Sequence, residues 1–183
     1  MPLRIDDAPL RRLGREFARL AADSPKQIRQ AVGSIRRAAQ TESGRAIRQA
    51  YNVKLSGLEV QRSRSGKKAG LEVGSGDLSV TITGHERPLS AERFAGTRAT
   101  KKGLRIQVTK GGRASVIRRG FESKKKRVLF IRETSKRLPI RKATGPSVAD
   151  MLANEKVRKT LIRTLGDRAV KELERRVLRL RAR

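Results

Sequence analysis

Apolar residues recur along this chain at two periods, and the change of period divides it into three stretches. Leu10, Leu13, Phe17 and Leu20 are spaced as one face of a helix, with Asp7 and Pro9 suited to its first turn. Asp23 or Ser24 before Pro25 opens a second helix, predicted from Pro25 to about Tyr51. Its stripe is Ile28, Val32, Ile35, Ala39, Ala46 or Ile47, and Ala50. Gly33 and Gly44 each cost about 1 kcal/mol relative to Ala in a helix, so a bend or break is predicted near Thr41–Gly44.

From Asn52 the period shortens. Residues 62–70 (RSRSGKKAG) read as a flexible basic turn or loop, and Leu71–Val73 and Leu78–Thr83 as strands around a glycine turn. Leu89–Phe94 reads as extended, and Ala95–Gly103 as a loop. Leu104, Ile106 and Val108 alternate with polar residues. Gly111-Gly112 makes the turn, and Val116 and Ile117 return until Gly120. Val128–Ile131 is a short apolar run, followed by a polar turn at Thr134–Lys136. A second strand then carries Leu138 and Ile140 on one face. Pro139 within it marks a sheet edge, because proline cannot donate to a ladder. After Gly145-Pro146, Ser147 and Asp150 have the spacing of a capping box. From Asn154 a long helix follows, apolar at Val157, Leu161, Leu165, Ala169, Leu173, Val177 and Leu180 and basic elsewhere, with a bend expected at Gly166. The pattern predicts an α+β domain: N-terminal helices over 1–51, a small mostly antiparallel sheet over 52–142, and a C-terminal helical segment over 143–183 packed on the sheet.

Composition changes this picture through charge. Lys and Arg number 46 against 17 Asp and Glu, a net charge of +29 on 183 residues. Self-repulsion of that size opposes compaction unless something negative offsets it, and it exceeds what solubility requires. Between Arg98 and Arg137 there are 15 Lys/Arg against Glu122 and Glu133. The candidate contacts to DNA or an acidic partner are Arg62, Arg64, Lys67, Lys68, Arg98, Lys101, Lys102, Arg113, Lys124, Lys125 and Lys126. With only five aromatic residues (Phe17, Tyr51, Phe94, Phe121 and Phe130), base stacking is poorly served. Contact with nucleic acid is therefore expected to be with the phosphate backbone alone.

Candidate chemistry is sparse. There is no Cys, and His85 is the single His, which disfavours thiolate and zinc sites. Gly74-x-Gly76 and Gly111-Gly112 fit turns and not a phosphate loop. Asp6-Asp7 is better explained by capping, and Glu172 and Glu174 by ion pairing along a basic helix. No catalytic, cofactor-binding or metal-binding residues are assigned, and a non-enzyme is expected. No apolar run is long enough for a membrane span, and the N-terminus has no apolar signal segment.

The stretch from Arg127 to Leu152 carries a resemblance. Phe130-x-Arg132, then Leu138-Pro139-Ile140, then Gly145-Pro146-Ser147-Val148 resembles the C-terminal core of the prophage minor tail protein Z family, the tail-completion proteins of long-tailed phages. The resemblance implies a structural virion protein, assembled in the host cytoplasm and located at the head-proximal neck of the tail. It implies a homo-oligomeric ring with the tail terminator, tail tube and head–tail connector as neighbours and phage DNA within reach. Phe130, Arg132, Leu138, Ile140, Pro146 and Val148 are the candidate fold and interface determinants. The alternative is a basic nucleic-acid-binding protein of ribosomal or nucleoid type. A basic amphipathic protein lying on a membrane surface fits less well, since no Trp is present.

Overall fold

The computed structural model describes residues 2–3, 12, 15–16, 19, 25–63, 66–76, 79–123 and 128–181. In chain order, strand β1 (Pro2–Leu3) precedes helix α1 (Pro25–Ala50) and a 3-10 turn at Leu55–Gly57. Strands β2 (Gln61–Arg62), β3 (Lys68–Ala69), β4 (Leu71–Ser75) and β5 (Val80–Gly84) follow, then a 3-10 turn at Ala91–Arg93. Strands β6 (Arg98–Thr100), β7 (Gly103–Ile106), β8 (Ser115–Ile117), β9 (Gly120–Glu122), β10 (Leu129–Arg132) and β11 (Ile140–Lys142) come next. Helices α2 (Val148–Ala153) and α3 (Glu155–Arg181) close the chain. The protein is α+β, with small antiparallel sheets and a long C-terminal helix.

Two compact units are interleaved in sequence. The first takes residues 1–46, 72–83 and 153–183; the second takes 47–71 and 84–152.

In the first unit β5 lies between β1 and β4, with Leu3 opposite Ile82. The helices bury Ala31 and Ala39 from α1 and Val157, Leu161, Leu165, Leu173 and Val177 from α3, the steps of four that the pattern predicts. Arg36 Nε of α1 donates to the Val73 carbonyl of β4 at 3.1 Å. Glu42, only 5% exposed, accepts from Arg45 and from Arg168 of α3, each at 2.9 Å. The expected break in α1 does not occur. Glu42, Ser43 and Gly44 are all buried, and the Ser43 hydroxyl donates back to the Ala39 carbonyl. Tertiary packing therefore outweighs the local propensity cost of Gly44. Gly166 is likewise buried, and α3 runs through it.

The second unit holds two three-stranded sheets, β6–β7–β8 and β9–β10–β11, and the β2–β3 pair. Ala91, Leu104, Ile106, Leu129, Ile131 and Ala143 form one buried cluster. Several expectations change here. Residues 62–70 are not all loop, because Gln61–Arg62 pairs with Lys68–Ala69. Ala95–Gly103 was expected as loop but contains β6, which pairs with β7 around the Thr100–Gly103 turn. Gly103 there has φ +124°, and its Cβ position is filled by the Ile117 carbonyl, so only glycine permits both the turn and the β7–β8 approach. Gly120 begins β9 instead of only ending the preceding strand, and Leu89–Phe94 contains a 3-10 turn. Each of these segments lacks an apolar alternation of its own and takes its form from neighbouring strands. The helical stripe at Leu10, Leu13, Phe17 and Leu20, the Asp6-Asp7 pair, Leu78, Arg64 and Lys124–Lys126 lie outside the described residues.

Candidate assembly edge and basic surface

Over residues 128–152 the motif region forms strands and a helix, but β11 begins only at Ile140, so Leu138 and Pro139, expected within the second strand, precede it. β10 and β11 pair antiparallel with Phe130 opposite Lys142, Ile131 opposite Arg141 and Arg132 opposite Ile140. β9 lies on the other side of β10, with Phe121 opposite Phe130. Alternation sends Leu129 and Ile131 into the core, while Phe121, Phe130, Arg132, Ile140 and Lys142 share the opposite face. On that face the Phe121 and Phe130 rings stack with centroids 6.0 Å apart, and the Arg132 guanidinium lies 4.9 Å from the Phe121 centroid. Leu138, after which the peptide bond to Pro139 is cis, is 64% exposed, and Ile140 is 40% exposed.

β11 is the outer strand of its sheet. The Glu133 amide donates to the Pro139 carbonyl, and the Ala143 amide donates to the Leu129 carbonyl. By the same parity Arg141 faces β10, and the backbone groups of Ile140 and Lys142 face outward. All three residues of β11 are exposed.

The far end of the motif is fixed rigidly. Ser147 N–H donates to Asp150 Oδ2 at 3.0 Å, and Asp150 N–H donates to Ser147 Oγ at 3.1 Å, a reciprocal capping box on α2. The Ser147 side-chain hydrogen bond, then its backbone one, holds the Asp150 carboxyl below its ordinary pKa. Gly145 lies against the buried Phe94 ring, 2.5 Å from where a Cβ would stand. Val148 is fully buried, so it acts through the core and is not available to a partner; Pro146 is half-buried. Glu92 ties the 3-10 turn to the sheet by accepting the Leu129 amide at 2.9 Å.

The basic candidates spread over the second unit. Arg62, Lys67, Arg98, Lys101, Lys102 and Arg113 are exposed, and Lys68 is half-buried. One arrangement among them escaped the sequence pattern. Arg98 of β6 stands directly opposite Arg105 of β7, with Val116 of β8 next in the row. Leu104 and Ile106 face the core, so this row is on the outer surface. Like charges directly opposed across a sheet are destabilising, and neither arginine is ion-paired with a described residue. Only the β6–β7 register, hidden by the loop-like composition of Ala95–Gly103, reveals the pair. By contrast Arg93 is satisfied internally: Nη1 donates to the Gly57 carbonyl at 2.6 Å. Burial, and then the charge of Arg87, lowers its pKa from the usual arginine value.

Among the described residues there is no group of three His, Cys, Asp or Glu side chains able to hold a metal, and no helix is long and apolar enough to cross a membrane. His85 is half-buried, and its backbone is hydrogen-bonded to Gly70 and Ala149. Compared with known protein families, with curated proteins and with solved structures, the chain gives no match.

Proposed function

We propose that this chain is a structural protein of a long-tailed phage particle, a tail-completion component at the head-proximal end of the tail. It acts as a homo-oligomeric ring that helps join tail to head, with the terminator or tube on one side and the connector on the other. The observation that carries the reading is the motif hairpin itself. Phe130-x-Arg132 lies on β10, Leu138-Pro139 leads into the exposed outer strand β11 at Ile140, and Gly145-Pro146-Ser147-Val148 is held to the core through the backbone bonds of Gly145 and Pro146 with Leu89 and through buried Val148. A rigidly anchored open edge suits a joint between chains, since unpaired ladder groups are satisfied by another chain's backbone. It binds no substrate and needs no catalytic group. Native mass spectrometry of the purified chain tests the reading. A single closed homo-oligomer is expected; a monomer at every micromolar concentration counts against it.

The opposed pair Arg98 and Arg105 favours a second reading, a protein that binds the nucleic-acid backbone. Phosphates placed between two such guanidiniums convert a repulsion into two charge-assisted contacts. Gel shift of a random-sequence duplex across a salt series separates the two readings. Tight, steeply salt-dependent binding by an isolated monomer supports the second, while oligomers with weak duplex affinity support the first.

A further inference from the structure

We propose that β11 and the face beside it take a short, extended, acidic segment of a different protein as an added strand. The inference rests on the assembly reading above in using the edge as a joint, and it names the occupant. Three observations at one place carry it. The strand Ile140–Lys142 closes its sheet on one side only, and the backbone groups of Ile140 and Lys142 point away from β10. The adjoining face presents an aromatic and cationic set, Phe121, Phe130 and Arg132, with Ile140 at its border. Aromatic and arginine side chains are the types that anchor partners when a face is covered. The third observation is sign: between Arg132 and Lys142 the sequence has five Lys/Arg and one Glu, and the two ion pairs here, Arg141 with Glu133 at 4.0 Å and Lys142 with Glu92 at 3.9 Å, are long and leave both cations exposed.

Sign decides between occupants. A second copy adding its own β11 brings the same cations to the same edge. Antiparallel pairing centred on Arg141 opposes Arg141 to Arg141 in the closely spaced, non-hydrogen-bonded position. Centred on Ile140, it gathers two copies each of Arg132 and Lys142 on one face with no added carboxylate. A segment with carboxylates opposite Arg141 and Lys142 and an apolar residue opposite Ile140 satisfies all three positions. A duplex offers phosphates but no backbone N–H and C=O pair for the ladder, so it leaves the open groups unmet.

The test uses the full chain and a capped hexapeptide of two glutamate–glutamate–valine repeats, with a lysine–lysine–valine hexapeptide as comparator. Amide hydrogen exchange followed by NMR reads the edge directly. The expected result is slowed exchange at Ile140 and Lys142 with the acidic peptide and none with the basic one. Peptide affinity is then measured for K142Q and K142P, which lose the same charge while only the second loses the outward N–H. The proline variant is expected to bind at least about tenfold more weakly than the glutamine variant, the equivalent of one hydrogen bond. If K142P does not fold, the exchange result on the unmodified chain decides alone. Acidic-peptide binding that leaves Ile140 and Lys142 unprotected, or equal affinity in folded K142Q and K142P, overturns the proposal. Protection that grows with protein concentration without peptide assigns the edge to a second copy, and protection by a duplex assigns it to nucleic acid; either overturns it. A closed homo-oligomer with an unprotected edge refutes this inference and leaves the ring standing. An edge protected by the acidic peptide in a chain that stays monomeric refutes the ring and leaves this inference.

Discussion

Replacing Gly145 with alanine tests how the motif region is held to its core. The new Cβ would stand 2.5 Å from Phe94 Cε2 and 2.7 Å from Cζ, well inside van der Waals contact. The ring has little room to yield, because Phe94 is 1% exposed and is the largest of the fully buried side chains among the described residues. Forcing a methyl into a packed core costs about 1–3 kcal/mol, and the closeness of two ring carbons puts the expected loss in the upper half of that range. Unfolding in urea is readily followed through Tyr51, the only tyrosine in a chain without tryptophan; it is buried and belongs to the same unit. Shrinking the ring with F94L should relieve the clash, so the double variant G145A/F94L should be more stable than the sum of the single losses by about 0.5–3 kcal/mol. Additivity of the two losses within about 0.5 kcal/mol would refute the reasoning, since the methyl and the ring would then not meet.

Other perturbations address the remaining contacts. Because the Asp150 carboxyl is held below its usual pKa, the stability it contributes is present above the unfolded value of 3.8 and is lost as pH falls through the lower folded value. S147A should move the Asp150 titration upward by NMR and cost about 1 kcal/mol at neutral pH. E42Q removes the buried charge shared by Arg45 and Arg168. As both arginines are half-exposed and can rehydrate, a loss of about 1–3 kcal/mol is expected in urea unfolding followed by circular dichroism. R105T relieves the repulsion with Arg98 and should stabilise the chain at low salt by about 0.2–1 kcal/mol, while reducing the log–log salt slope of duplex binding by about 0.9 for one lost phosphate contact.

What could be read from residues follows from which forces are local. The long helix from Glu155 was legible because its apolar steps of four are a property of one segment. The capping box at Ser147 and Asp150 was legible for the same reason, whereas the edge strand was read from a Pro139 within it and the strand begins only after that residue. The strand β6 was not, since Arg98–Thr100 has no buried side of its own and exists by pairing with β7. The intact helix at Gly44 was hidden in a similar way, because the burial of Glu42 and Ser43 depends on distant sequence. Of the candidate site, Leu138 and Ile140 are exposed as an interface requires, while Val148 belongs to the core. Its apolar character fits both roles, and only the packing around α2 separates them. The facing of Arg98 and Arg105 needed a register that charge counting cannot supply.

The decisive question is where the chain works. Electron cryomicroscopy of phage particles assembled with a tagged copy of this chain measures that directly. A ring of tag density is expected at the head-proximal end of the tail, with tails that fail to join heads when the chain is withheld. Particles that lack the chain, or that join heads and tails normally without it, would contradict that placement.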